Sequence, residues 1–489
     1  RSETMRGFVG RARELGDLWR ELDAARSGSG RFVTVRGRRQ VGKSWLISEF
    51  VERYGGPRMF FEAHGYTETR ELERFRAALA ASSLPSAPLA GAGVAFTDWE
   101  GALLAAASGA TADRPSIIVL DEFPDLCERR RGPGGELLPS PQEGSIGAAW
   151  RTLEQMPVVL VLIGSDLAMM ERLTVYGAPL YQRPTRELLV PPLSPLEVAR
   201  LTGRTGADAL DAYLVTGGFP KIVRLWSGGN LGAFLKASLA DPGSELVRSA
   251  ARILDAELPA NVNARSILSV IGAGERTNAG ISARTGIKTT NLTVPKGPLT
   301  VLAEKRIIAS ALPLSTAKSV ERRYWISDPY LRFWLRFIEP ALSEIERGLG
   351  ATVAPSIARN FSDYRGRAIE PLIREALARL SIAGDATLRG ARAVGAFWTR
   401  DNKVEVDLVG ADREAPPAAS VAFVGTIKWR DRAPLTGSDI AALVGSAAGI
   451  SGVDAATVFI AVSRTGFDRI AAPIRQIGPD EILAAFPAD

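Results

Sequence analysis

Eight consecutive residues could do the most specific chemistry in this chain. Gly37, Arg38, Arg39, Gln40, Val41, Gly42, Lys43 and Ser44 have the spacing G-x-x-x-x-G-K-S, which lets backbone N–H groups wrap a string of phosphates. In that arrangement Lys43 neutralises β/γ charge and the Ser44 hydroxyl ligates Mg²⁺. A matching pair of acids stands at Asp121 and Glu122, directly after the apolar run Ile117 to Leu120. Asp121 is placed to complete the Mg²⁺ shell, and Glu122 to orient and polarise an attacking water. Ser165 follows a third apolar run, Val158 to Ile163. It could sense a γ-phosphate, or serve with Asp166 as a simple helix cap. The chemistry these residues suit is transfer of a phosphoryl group from ATP to water.

Such residues need elements to hold them. Phe32 to Val35 form a short β-prone run, and Trp45, Leu46, Ile47 and Phe50 continue in a helical pattern, so the glycine loop joins a strand to a helix N-terminus. Uninterrupted apolar runs before Asp121 and before Ser165 fit strands buried on both faces of a parallel sheet, and ligands of such sheets bind at the carboxyl ends of the strands. Upstream, Leu15, Leu18, Trp19 and Leu22 have amphipathic helical spacing. Residues 84–96 and 129–147, rich in Pro, Gly and Ser, are expected to be loops, with Arg129, Arg130 and Arg131 in a solvated insertion, contact with DNA being the alternative.

Composition narrows the alternatives. The chain has 489 residues, enough for roughly three or four domains. A single cysteine, Cys127, and a single histidine, His64, exclude a disulfide framework, cysteine zinc sites, and nearly all triad or imidazole-metal chemistry. No apolar run reaches the roughly 18–20 residues of a membrane helix, and Arg1, Ser2, Glu3 and Thr4 begin no signal core, so a cytoplasmic protein without a membrane partner is expected. Net charge is +6, yet residues 262–340 alone hold 12 Lys and Arg against 5 Asp and Glu. A basic excess concentrated in one segment points to a polyanion, with duplex DNA favoured.

Further stretches carry a family resemblance. Phe8 to Arg11 before the first helix, the glycine loop, the run ending in Asp121 and Glu122, the segment Leu162 to Met170, and Ala178 to Pro195 together resemble the archaeal-type P-loop ATPases of the AAA+/STAND branch, over residues 6–225. That resemblance implies an ASCE-type parallel-sheet core and ATP/ADP with Mg²⁺ as ligands. By it Phe8, Val9, Gly10 and Arg11 flank the adenine, and Arg183 reaches a γ-phosphate in its own or a neighbouring subunit. Gly217 to Lys221 would belong to a helical lid whose Pro220 lies against the nucleotide. Without the family, Arg183 reads as a surface charge and Pro220 as a turn residue.

The basic segment offers helices at Arg265 to Ile271 and Asn278 to Thr285, a turn at Gly286, a further helical run to Leu302, and β-prone pieces at Ile307, Ile308 and Tyr324 to Ile326. This order describes a winged helix-turn-helix with Lys288, Thr289, Thr290, Asn291 and Lys296 as DNA-contact candidates; packing against protein is the alternative. Pro295 and Pro298 interrupt the reading helix. Trp325, Tyr330, Phe333, Trp334 and Phe337 have the spacing of a core-facing helix.

Beyond residue 350 the pattern becomes helix, strands, helix, and resembles the restriction-endonuclease-like domain that follows such ATPases. Arg365 to Glu370 are expected to open a helix. Glu370, Asp407 and Lys428 occupy the places of the nuclease acids and lysine, but Thr426 stands where an acid is needed, and a hydroxyl cannot supply a carboxylate's charge to Mg²⁺. Glu405, on the face of its strand shared with Asp407, is the one substitute in reach.

These features define a multidomain α/β protein: a P-loop core over residues 1–195, a helical lid over 196–260, a winged helix with a connecting helix over 261–345, and a degenerate endonuclease-like α/β domain over 346–489. The expected function is an ATP-hydrolysing switch that binds DNA. Two alternatives stand beside it: an ATP-gated, metal-dependent DNA endonuclease, and a nucleotide-dependent signalling scaffold that forms homo-oligomers or engages a protein partner.

Overall fold

The computed structural model describes residues 10–128, 130–132, 137–258, 262–470 and 473–487, and the chain divides after Pro192 into two compact units. In the first unit five strands, β1 (Arg31–Arg36), β2 (Arg58–Glu62), β3 (Ser116–Asp121), β4 (Val158–Gly164) and β5 (Arg186–Leu189), form a sheet in the order β2-β3-β4-β1-β5. Every pairing is parallel. Residues on both faces of β3 and β4 are buried, as their uninterrupted apolar runs require of a sheet covered on both sides. Phe32, Ile118, Leu120, Leu160 and Leu162 meet Phe75, Trp99, Ile146 and Trp150 in one continuous core. The helix Ala12–Ala25 buries Leu15, Leu18 and Leu22, and Trp19 meets Phe50 of the helix Lys43–Tyr54 edge to face at 5.2 Å.

The expected loop over 129–147 ends early. Residues 129 and 133–136 lie outside the described residues, and a helix, Pro141–Leu153, takes over at residue 141. Its start was legible: Ser140, Pro141 and Glu143 make a capping box with proline in the first turn, satisfying amides that a helix end otherwise leaves bare. Within the other predicted loop, Ala87–Gly91 form a short helix.

The second unit begins with helices at Pro195–Thr202, Gly206–Thr216, Leu231–Ala240 and Glu245–Glu257. Four further helices follow, Val262–Gly272, Asn278–Thr285, the short Thr289–Leu292 and Pro298–Glu304, then an antiparallel ribbon of Ile308–Ala311 with Arg323–Ile326. Farther on, β6 (Ala393–Trp398), β7 (Glu405–Ala411), β8 (Val421–Lys428), β9 (Val458–Ser463) and β10 (Arg475–Ile477) form a second sheet in sequence order. Its first two pairings are antiparallel and its last two parallel. Arg365 to Glu370 do not open one helix; they straddle the junction between Gly350–Ala368 and Glu370–Ile382.

Helices within the expected lid segment share a core with the C-terminal sheet. Ala209, Leu210 and Leu214 pack with Ile369, Ile373, Phe423 and Phe486, and Arg365 joins Asp211 at 2.8 Å and Asp431 across the same interior. Of the aromatic series, Trp325 lies on the ribbon strand Arg323–Ile326 and is partly exposed, as is Phe337, while the rest is core. Tyr330, Phe333 and Trp334 are buried, with the Tyr330 hydroxyl donating to Leu246 O at 2.9 Å and the Trp334 indole to Val247 O at 2.8 Å. No helix among the described residues is long and apolar enough to cross a membrane.

Candidate nucleotide site

Strand order brings the phosphate-loop residues and the acids together. Arg36 of β1 lies level with Gly164 of β4, and β4 separates β1 from β3. The loop after Arg36, Ser165 after β4 and Glu122 after β3 therefore emerge side by side at one sheet edge. Gln40 and Gly42 both adopt positive φ, 66° and 93°, and this reversal aims successive amides inward as an anion nest. Gly42 tolerates such a φ without strain. At Gly37 a Cβ would run into the Val190 carbonyl, so only glycine lets the loop pass there.

Lys43 is buried and donates to Gly37 O, Arg38 O and Ser165 Oγ, each at 2.9 Å. Ser165 in turn donates to Glu122 Oε1 at 2.9 Å, and Arg39 lies 3.9 Å from the same oxygen. Glu122 itself has φ 47° and ψ 45°, a left-handed conformation that is uncommon for a non-glycine residue. The Asp121 carboxylate accepts the Glu122 amide at 2.8 Å and pairs with the Ser44 hydroxyl. Burial pushes the Asp121 carboxyl up from its ordinary value; the Ser44 and Glu122 hydrogen bonds work against that shift, and the charges of Glu122 and Glu62 add to it. A divalent cation is the natural relief for such a carboxylate. The nest and the Ser44–Asp121 pair fit a triphosphate with Mg²⁺: amides and Lys43 for the phosphates, Ser44 and Asp121 for the ion. Among the described residues no three His, Cys, Asp or Glu side chains gather to hold a metal by themselves.

Other expected residues fall elsewhere. Phe8 and Val9 lie outside the described residues. Gly10 is half-buried, and the buried Arg11 gives its guanidinium to Val41 O at 3.2 Å and to Pro191 O, fastening the loop instead of facing a ligand. Arg183 is not brought to the site. Thr185, two residues on, exchanges hydrogen bonds with Phe32 (2.7 and 3.0 Å), at the end of β1 opposite the loop. Four strand residues separate Phe32 from Gly37, five residue steps or about 16 Å, and this does not favour a role for Arg183 toward its own γ-phosphate. Pro220 opens the short helix Pro220–Val223 and is buried within the second unit.

Lys288, Thr289, Thr290, Asn291 and Lys296 are all exposed. The helix expected from them is cut short. Thr289–Leu292 is a single turn, and Pro298 begins a separate helix because proline lacks the amide a continuing helix needs.

The nuclease-like residues do not assemble as a metal site. Glu370 pairs with Arg374 at 2.8 Å. Asp407 accepts Thr426 Oγ1 at 3.0 Å and Ile427 N at 2.8 Å. Lys428 closes β8, half-buried. Glu405, the substitute acid, is committed to Arg323 at 2.7 Å, with Arg276 at 3.6 Å. Sequence reasoning missed this arginine network because its members lie far apart in the chain and each is unremarkable alone.

Comparisons with known proteins give two family-model matches. Residues 7–131 match the model of an AAA ATPase domain, and residues 334–440 match a family described as archaeal and bacterial proteins of unknown function. That first match lies wholly within the first unit and spans the phosphate loop and both acids. An uncharacterised protein of Methanocaldococcus jannaschii is 25% identical over 432 residues, 87% of this chain and 88% of that one. Among solved structures, the chain is similar to the Walker-type ATPase of Pyrococcus abyssi, with 18% identity, 68% of this chain and 99% of that one covered, and a TM-score of 0.43. It is also similar to the ORC2 protein of Aeropyrum pernix, with 15% identity, 72% and 98% covered, and a TM-score of 0.42.

Proposed function

We propose that this chain is an ATP-hydrolysing switch that binds duplex DNA through the basic segment around Lys288 and Lys296. The observation that carries the hydrolytic part is the unbroken chain Lys43 Nζ–Ser165 Oγ–Glu122 Oε1. An ammonium that reaches the phosphates must leave Ser165. Ser165 is then free to donate to a γ-phosphate oxygen, and Glu122 to accept from water. Arrival of the triphosphate and release of the general base are coupled through one hydroxyl. Ser44 and Asp121 would hold Mg²⁺, which would supply the charge neutralisation that phosphoryl transfer needs.

Glu122→Gln keeps the shape and removes the base, so turnover is expected to fall by about 10²–10⁴-fold with nucleotide binding retained. Steady-state hydrolysis beside equilibrium binding decides it: unchanged turnover would reject Glu122 as the base.

The DNA part rests on the exposed Lys288, Thr289, Thr290, Asn291 and Lys296 within the segment of strong positive excess. Duplex affinity should fall by about 0.9 log units per log unit of salt for each phosphate neutralised. Replacing Lys288 and Lys296 by Ala should flatten that slope by up to about 1.8. A chain that binds no duplex at low salt, with ADP or with a non-hydrolysable ATP analogue, would favour the oligomerising scaffold. Cleavage is not part of this reading, since Glu370, Asp407 and Glu405 are each already engaged.

A further inference from the structure

Where a nuclease would gather carboxylates alone, the second unit sets six arginines against four glutamates, Glu370, Glu375, Glu405 and Glu414. A cavity of about 390 Å³ is bounded by the ribbon, the start of the helix Glu370–Ile382 and β6. Arg276, Arg323, Arg332, Arg367, Arg374 and Arg392 line it. Three of them are paired, Arg374 with Glu370 and Arg323 and Arg276 with Glu405. Arg332, Arg367 and Arg392 make no side-chain hydrogen bond or ion pair among the described residues. Arg332 is set into the wall, where burial works against its charge and only Tyr364 and Glu370 help it.

A second cavity of about 380 Å³ shares Arg276, Trp325, Arg332 and Arg367 with the first. The unpaired guanidinium of Arg332 and the half-exposed indole of Trp325 thus stand at the junction of the two spaces. A cation is unwelcome here. An anion able to accept paired N–H donors suits the arginines, and a flat group suits the indole face. Space of this size holds a small molecule, not a duplex.

We infer that this arginine-lined cavity is a second ligand site, separate from the phosphate loop, for a phosphomonoester of mononucleotide size. Its phosphate would sit among Arg332, Arg367 and Arg392, with its ring against Trp325. The inference does not rest on ATP hydrolysis or on DNA binding.

The test uses the full chain carrying Lys43→Ala, which silences the phosphate loop. AMP is titrated calorimetrically, with adenosine, inorganic phosphate and a short duplex as separate arms. Saturable one-to-one AMP binding is expected, at least tenfold tighter than adenosine or inorganic phosphate. It should weaken about tenfold or more in Arg332→Gln and in Arg367→Ala. Arg332 is set into the wall and its replacement could disturb folding, whereas Arg367 is exposed, so the second variant decides alone if the first melts early. Absence of AMP binding overturns the inference. So does AMP binding indifferent to Arg367→Ala, or a duplex that binds in an Arg367-dependent way while AMP does not.

Discussion

Ser165 is the residue whose replacement is most informative. Its hydroxyl accepts from Lys43 and donates to Glu122, so base and cation are held in one neutralised string. A hydrogen bond to a charged partner contributes roughly 1.5–3 kcal/mol. Ser165→Ala should therefore cost about 10- to 100-fold in hydrolysis and most of the preference for ATP over ADP, while ADP binding stays within a few-fold. Single-turnover rates alongside ADP affinity would read this out, and a variant that still separates ATP from ADP would dismiss Ser165 as a sensor. Arg11 illustrates the opposite case. The family resemblance implied an adenine contact for it, and its guanidinium donates to the Val41 and Pro191 carbonyls.

At the scale of elements, packing makes two local probes. Cys127 ends the short helical turn after β3 and is buried, and burial pushes its thiol up to about 12. Thiolate is the reactive form, so iodoacetamide at pH 8 should leave Cys127 unlabelled in the folded chain and label it after denaturation, as mass spectrometry would show. Rapid native labelling would mean that the turn opens freely. The helix Gly437–Ala447 is held by its capping residues Thr436 and Asp439. Burial alone would raise the Asp439 carboxyl, but the forked Arg430 pair at 2.7 and 3.0 Å and the Thr436 amide outweigh it and hold it at about 2. Since the unfolded carboxyl titrates near ~3.9, the stability this gives is complete above about pH 4. It is lost as pH falls toward 2, with the sign of a lowered acid. Denaturant melts of the native chain and of Asp439→Asn should differ at pH 6 and converge near pH 2.

The whole molecule is two compact units, and the second is knit by more than apolar contact. Asp211 lies between Arg365 and Arg464 at 2.8 and 3.1 Å, tying the helix Gly206–Thr216 to the segment after β9. Removing one partner of such a buried network costs about 3–5 kcal/mol. Calorimetry is expected to show two transitions, of which Arg365→Ala lowers one. Saturating ADP at 100 times its dissociation constant would raise the other by about 2.7 kcal/mol. One transition moved by both perturbations would reject independent units.

Much of the nucleotide site was legible from residue order alone because its signals are local. A glycine loop fixes a backbone shape, an apolar run fixes a buried parallel strand, and Asp121 with Glu122 must follow where that strand ends. The capping box at Ser140 is equally local. What lay beyond the sequence is juxtaposition. Strand order alone sets Ser165 between Lys43 and Glu122, and β5 pairing with β1 carries Arg183 to the far end of the sheet. The arginine cavity draws on residues from Arg276 to Arg392. No periodicity links residues so distant in the chain, and the fate of each charge depends on which neighbours folding delivers and how much water it removes.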